Sequence, residues 1–143
     1  MDGIGKLFTG MRASATGLSA ERIRIDVIAK NLANAETTRT PSGGPYRRQV
    51  VHFEPLLRRL EDGTKEAAGV RVTRVADDMV TPLERVFDPH HPDADADGYV
   101  TMPNVNATRE MADLITAMRA YEANLSAQEA YVRMAERALR LAQ

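Results

Sequence analysis

"EMADLITAMRAYEANLSAQEAYVRMAERALRLAQ", residues 110–143, decides the fold. Steps of seven from Met111 give Met118, Leu125, Val132 and Leu139, flanked by Leu114, Ile115, Tyr121 and Ala135. Apolar residues sustained at this spacing keep one seam of a helix against a partner helix. Asn106, just past Pro103, is placed to cap the helix start. The partner lies at the other end of the chain. Steps of seven from Ile4 give Met11, Leu18, Ile25 and Leu32, with Leu7, Phe8, Ala15, Ile28 and Ala29 beside them. Gly5, Gly10 and Gly17 weaken the opening of this first helix, each by up to ~1 kcal/mol relative to alanine. The expected intramolecular seam is therefore Leu18, Ile25 and Leu32 against Met118, Leu125, Val132 and Leu139.

Both helices carry a second apolar column. In the last helix it reads Ala120, Ala127, Met134 and Leu141; in the first, Ala13, Ala20 and Val27, with Ile23 close by. A surface helix ordinarily has a polar back, although alanine also serves as plain helix-forming filler. Length favours the first reading. A helix over 107–142 would run roughly 54 Å at 1.5 Å per residue, whereas a compact domain of this size is roughly 35–40 Å across. Such a helix projects, and a projecting helix with two apolar faces needs company. Ala20, Val27, Ala120, Ala127, Met134 and Leu141 are thus candidates for contact with other subunits.

The expected fold is mainly α, with a small β-rich insertion: two long terminal helices packed as a coiled coil, and short strands between them. Residues 1–35 and 107–143 would form the helical core and 36–106 an outer region. Within the latter, "NAETTRTPSGGPYRR" is a loop by composition. "RRQVVHF" sets Val51 and Phe53 on one side of a strand, and "GVRVTRV" does the same with Val70 and Val72. "EDG" at 61–63 suits a turn, and "PLERVF" a further short strand or irregular edge.

Composition excludes several functions. The chain has 143 residues, with 19 lysines and arginines against 20 acidic residues, and this balance gives no global attraction to nucleic acid or anionic lipid. With no cysteine there is no disulfide framework or thiolate zinc site. The opening "MDGIGKLFTGMRASATG" lacks the basic leader and apolar core of a Sec-type signal, and no stretch approaches the ~20 apolar residues of a membrane span. Export, if it occurs, must use a route without a cleavable leader. No phosphate cradle, nucleophile elbow or histidine beside a serine nucleophile is present, so neither catalysis nor a cofactor is expected.

One motif argues for metal. "HPDADADGYVTMPNVN", residues 91–106, sets Asp93, Asp95, Asp97 and Gly98 at the first, third, fifth and sixth positions of an EF-hand loop. A calcium-responsive helical adaptor using residues 93–104 is the alternative this raises. Position twelve is Asn104, which cannot supply the bidentate carboxylate, and Pro92 and Pro103 oppose helix–loop–helix geometry. His90 and His91 are adjacent and point apart, His52 stands alone, and the arginine pairs in "YRRQ" and "LLRRLE" read as solvated surface or salt links to a neighbour.

Taken together, "IDVIAKNLANAETTRTPSGGPYRR", "DPHHPDADADGYVTMPNVN" and "EMADLITAMRAYEANL" resemble the bacterial flagellar axial and rod protein family, from about residue 18 to residue 141. The motif residues that carry the likeness are Asn31, Leu32, Ala33, Asn34, Gly44, Pro45, Tyr46, Asp97, Gly98, Tyr99, Pro103 and Asn104. The resemblance implies a structural subunit of the proximal rod, spanning the periplasm and exported by the flagellar type III apparatus. It implies polymerisation through the terminal helices into a torque-transmitting shaft, with the β-rich part outside. Implied partners are other copies, other rod proteins, the export apparatus and proteins beside the MS ring and export gate; nucleic acid and direct membrane insertion are not implied. The acidic loop then becomes a turn leading into the last helix, made by Asp97 and Gly98.

Overall fold

The computed structural model describes residues 2–60 and 63–141, with side chains from 8 to 140. Helix α1 spans Asp2–Ala33, strands β1 to β4 span Gln49–Arg59, Lys65–Asp77, Glu84–Phe87 and Tyr99–Met102, and helix α2 spans Ala107–Leu141. β1 and β2 form one antiparallel two-stranded sheet, β3 and β4 another. At ~1.5 Å per residue, α1 is about 48 Å long and α2 about 52 Å. α2 begins where Asn106 accepts the Arg109 amide on its side-chain oxygen at 2.9 Å, an N-cap. α1 ends where the Asn34 side chain donates to the Lys30 carbonyl at 2.8 Å.

The helices lie antiparallel. A Cβ on Gly10 would overlap the Tyr131 ring, one on Gly17 would lie 2.9 Å from Asn124 Oδ1, and Asn31 Nδ2 donates to Glu110 at 3.0 Å. Moving up α1 by seven and then fourteen residues moves down α2 by the same steps. Small residues permit this approach, since Ser14, Gly17, Ala20 and Ala117 are buried.

The expected fold class needs correction on two counts. The strands are not a minor insertion: β1 has 11 residues and β2 has 13, joined in register from Gln49–Asp77 to Arg59–Lys65 with shifts at His52/Phe53 and Leu56/Leu57. The chain is two helices plus two antiparallel sheets. Nor is the helix pair a coiled coil on the expected seam, because Met118, Leu125, Val132 and Leu139 are exposed on α2. Small residues bring the helices together instead, because they cost the least separation. Of the expected "EDG" turn, Glu61 and Asp62 lie outside the described residues, as does the side chain of Leu141.

The β1–β2 hairpin leans on α1. Thr16 Oγ1 accepts the Val70 amide at 3.1 Å and itself donates to the Ala13 carbonyl at 2.8 Å, so one hydroxyl joins helix to strand. Gly69, at φ 145, brings the backbone this close. Cross-strand pairs Arg58–Glu66 at 2.9 Å and Arg71–Glu54 at 3.1 Å flank the stretch that docks on α1. The β3–β4 sheet packs on loops and touches no other helix or strand among the described residues.

Candidate assembly interface

A buried polar cluster fixes where the helices and the hairpin meet. Asn31 is 1% exposed and Glu110 0%. Asn31 Oδ1 accepts the Tyr46 hydroxyl at 2.9 Å and the Gln49 amide at 2.8 Å, while its Nδ2 donates to the Gln49 carbonyl at 2.9 Å and to Glu110 Oε2 at 3.0 Å. All four hydrogen-bonding positions of the amide are used, and the flipped amide would oppose donor to donor, which settles its orientation. Toward Gln49 the side chain imitates a neighbouring strand. The other Glu110 oxygen takes Arg48 Nε at 2.7 Å, and Arg48 also approaches Asp113 at 3.9 Å. Such charge-assisted bonds are the strong ones, and a buried carboxylate requires them.

Asn104, just past β4, extends the cluster to the connection between β2 and β3. Its Oδ1 accepts the Arg48 amide at 2.8 Å, and its Nδ2 donates to the carbonyls of Asp78 and Thr81, both at 3.0 Å. The loop after α1 returns through the Tyr46 amide to the Thr37 carbonyl at 2.9 Å, with Gly43 and Gly44 both at positive φ. Tyr46 thereby arrives on Asn31. Burial pushes its phenol pKa up from the ordinary value, and the charges of Asp77 and Glu110 add to the effect.

The acidic loop is occupied by the protein's own donors. Asp93 accepts Thr38 Oγ1 at 2.8 Å and Arg39 at 3.4 Å. Asp95 accepts the amides of Tyr99 at 2.8 Å and Asp97 at 3.0 Å, and pairs with Arg85. The Tyr99 amide foremost, then Arg85 and the Asp97 amide, hold the Asp95 carboxyl below the usual range. Asp97 is exposed, and Gly98, at φ 81, closes the turn with its amide on the Asp95 carbonyl at 3.0 Å. Among the described residues no group of three metal-ligating side chains converges.

The helix pair presents a different surface. Thr16, Gly17 and Leu18 are consecutive, about 100° apart around α1. Gly17 faces α2 and Thr16 faces the hairpin, so Leu18 looks to the opposite side. On α2, Asn124 faces α1 and Leu125 follows it. Because the helices run antiparallel, the same rotation carries Leu18 and Leu125 to one side of the pair. Ile25 and Leu32 continue that side on α1, half-buried like Leu18; Met118, Leu125 (42% exposed), Val132 and Leu139 (68%) continue it on α2. Met111 belongs to the same α2 column. The second expected column lies otherwise: Ala20 and Val27 are buried within the chain, Ala120 and Ala127 are half-buried on the flank beside Asn124, and Met134 is exposed.

Among the motif residues, Asn31, Tyr46, Pro103 and Asn104 are buried, Leu32, Asn34, Pro45 and Gly98 are half-buried, and Ala33, Gly44, Asp97 and Tyr99 are exposed. Sequence reasoning missed Glu110 and Arg48. Its available signal was the charge pair itself, a lone acid in the first turn of one long helix and an arginine beside "GGPY". Among the described residues six aliphatic or aromatic side chains are buried and eighteen large apolar ones exposed, an excess of exposed surface that a solitary soluble chain seldom carries.

Two long helices from the ends of one chain, an uncovered apolar stripe along them and a β-rich middle define a subunit of an axial, rod-forming assembly. Residues 11–39 match the family model described as "Flagella basal body rod protein", and residues 96–141 match "Flagellar basal body rod FlgEFG protein C-terminal". The chain is 46% identical to the flagellar basal-body rod protein FlgC of Borreliella burgdorferi, over 82% of its own length and 86% of the relative's. It is 38% identical to FlgC of Bacillus subtilis (94% and 97% covered) and 41% to FlgC of Aquifex aeolicus (85% and 86%). The chain belongs to the FlgC family, structural subunits of the bacterial flagellum located in the proximal rod of the basal body. Assembly with other rod proteins follows from membership of that family.

Proposed function

We propose that the chain enters the rod through the apolar stripe of its helix pair, on the side opposite the β1–β2 hairpin. Residues 1–35 and 107–143 form the rod core and 36–106 the outer region. The stripe meets other copies and neighbouring rod proteins, and the shaft so formed transmits torque across the periplasm. The flagellar type III apparatus delivers the chain, and proteins beside the MS ring and export gate are candidates for further contacts. The role is structural rather than catalytic.

The observation that carries this reading is the exposure of Met118, Leu125 and Val132 on a helix whose α1-facing side is already filled. On this reading the two expected columns exchange roles in part. The large residues face neighbours, whereas Ala20 and Val27 serve the fold of the single chain. Leu125→Asp tests it in a strain lacking the native gene. An exposed substitution shifts stability by about 0.5 kcal/mol or less, so the purified variant should melt like the parent. Rods and swimming should be lost while export continues. A variant that builds rods and swims normally would refute this placement of the interface.

A further inference from the structure

Two glycines one heptad apart, Gly10 and Gly17, lie on the face of α1 that meets α2. Tyr131 sits over the first and Asn124 over the second. Sliding α2 by seven residues would seat Tyr131 on Gly17, where a glycine again makes room. Asn124 would move to Arg24, and buried Ala117 from the level of Arg24 to that of Asn31. Ser14, Ala20 and Ala117 are too small to resist such a slip by shape. The polar cluster does resist it. In the slipped register Asn31 would face a methyl group, and Glu110 would pass beyond Ala33, the last residue of α1, leaving Arg48. Buried polar groups specify register by this means in other helix assemblies.

We infer that Asn31, Glu110 and Arg48 are positioning residues that select one of two heptad-related registers of the helix pair. Arg48 and Tyr46 belong to the segment that docks β1, so hairpin docking and helix register are coupled. A hairpin that fails to seat would leave the helices free to slide. One that seats fixes them, and with them the alignment of Leu18 and Leu125 along the outer stripe.

Disulfide trapping in the purified full-length chain, which has no native cysteine, tests this directly. Gly17→Cys with Asn124→Cys reports the described register, and Arg24→Cys with Asn124→Cys reports the slipped one. In the parent background the first pair should cross-link on mild oxidation and the second should not. The double variant Asn31→Leu/Glu110→Leu keeps apolar bulk in the interface. It should lower the ratio of first to second cross-link about ten-fold or more, the ratio set by loss of a bias of about 1.4 kcal/mol. Arg48→Met should do the same from outside the helices, which loss of local packing alone would not. A parental ratio in either variant, with helix content retained in circular dichroism, would overturn the inference. Should both variants fail to fold, Tyr46→Phe removes one hydroxyl from the cluster and should lower the ratio about three-fold, within the range expected for one hydrogen bond; an unchanged ratio there would overturn it equally.

Discussion

Replacing Glu110 by alanine removes the acid that joins α2 to both α1 and the segment entering β1. Its carboxylate is fully buried, bonded to Arg48 Nε at 2.7 Å and Asn31 Nδ2 at 3.0 Å. Truncating one partner of a buried ion pair costs about 3–5 kcal/mol, because the other charge stays desolvated without compensation. Two features pull the value to the lower end. Arg48's side chain is 22% exposed and has Asp113 at 3.9 Å, so it keeps some hydration and a second carboxylate. Asn31 keeps its other three bonds. The expected loss is about 3 kcal/mol, a large part of the ~5–15 kcal/mol that holds an ordinary domain folded. Glu110→Gln keeps shape and loses charge, and should cost about 1–2 kcal/mol. Glu66→Ala, which breaks an exposed pair with Arg58, should cost under ~1 kcal/mol. Urea unfolding followed by circular dichroism measures all three. A Glu110→Ala loss no larger than that of Glu66→Ala would refute the idea that this cluster fastens the helices to the hairpin.

Gly69→Ala should cost about 2–3 kcal/mol, combining strain at φ 145 with loss of the Thr16–Val70 bond; adding Thr16→Ala should recover part of it in the same unfolding assay. The depressed pKa of Asp95 makes its contribution fully present above the unfolded value of about 3.9 and lost as pH falls through the lower folded value. Amide shifts of Asp97 and Tyr99 should follow that titration in NMR, and Asp95→Asn should abolish it. The raised pKa of Tyr46 has the opposite sense, its contribution holding below about 10 and fading as pH rises through the folded value. Ultraviolet titration should show a late phenol that is absent in Tyr46→Phe.

Periodicity in the sequence reveals columns on a helix, and both helices, with the Asn106 cap, were legible for that reason. Which column meets which partner was not. Gly17 and Ala117 bring the backbones together because they are small, so the large column at Met118 and Leu125 was left outside. Strand length was hidden too. The bulges at His52/Phe53 and Leu56/Leu57 break the alternation that marks a strand, and its far half is tied by ion pairs rather than by burial. The "NLAN" motif pointed at Asn31, but no local pattern says that an amide there will fill all four bonds from three segments. Glu110 read as an ordinary first-turn acid favourable to the helix dipole. Its pairing with Arg48, 62 residues earlier in the chain, exists only in the fold.

Electron cryomicroscopy of the intact basal body, at a resolution that shows side chains, tests the central claim most directly. This chain should lie in the proximal rod wall, with Met118, Leu125 and Val132 buried against neighbouring subunits and the β1–β2 hairpin on the far side of the helix pair. Density that places the chain there but leaves those three side chains in solvent, with the contacts made elsewhere, would contradict it.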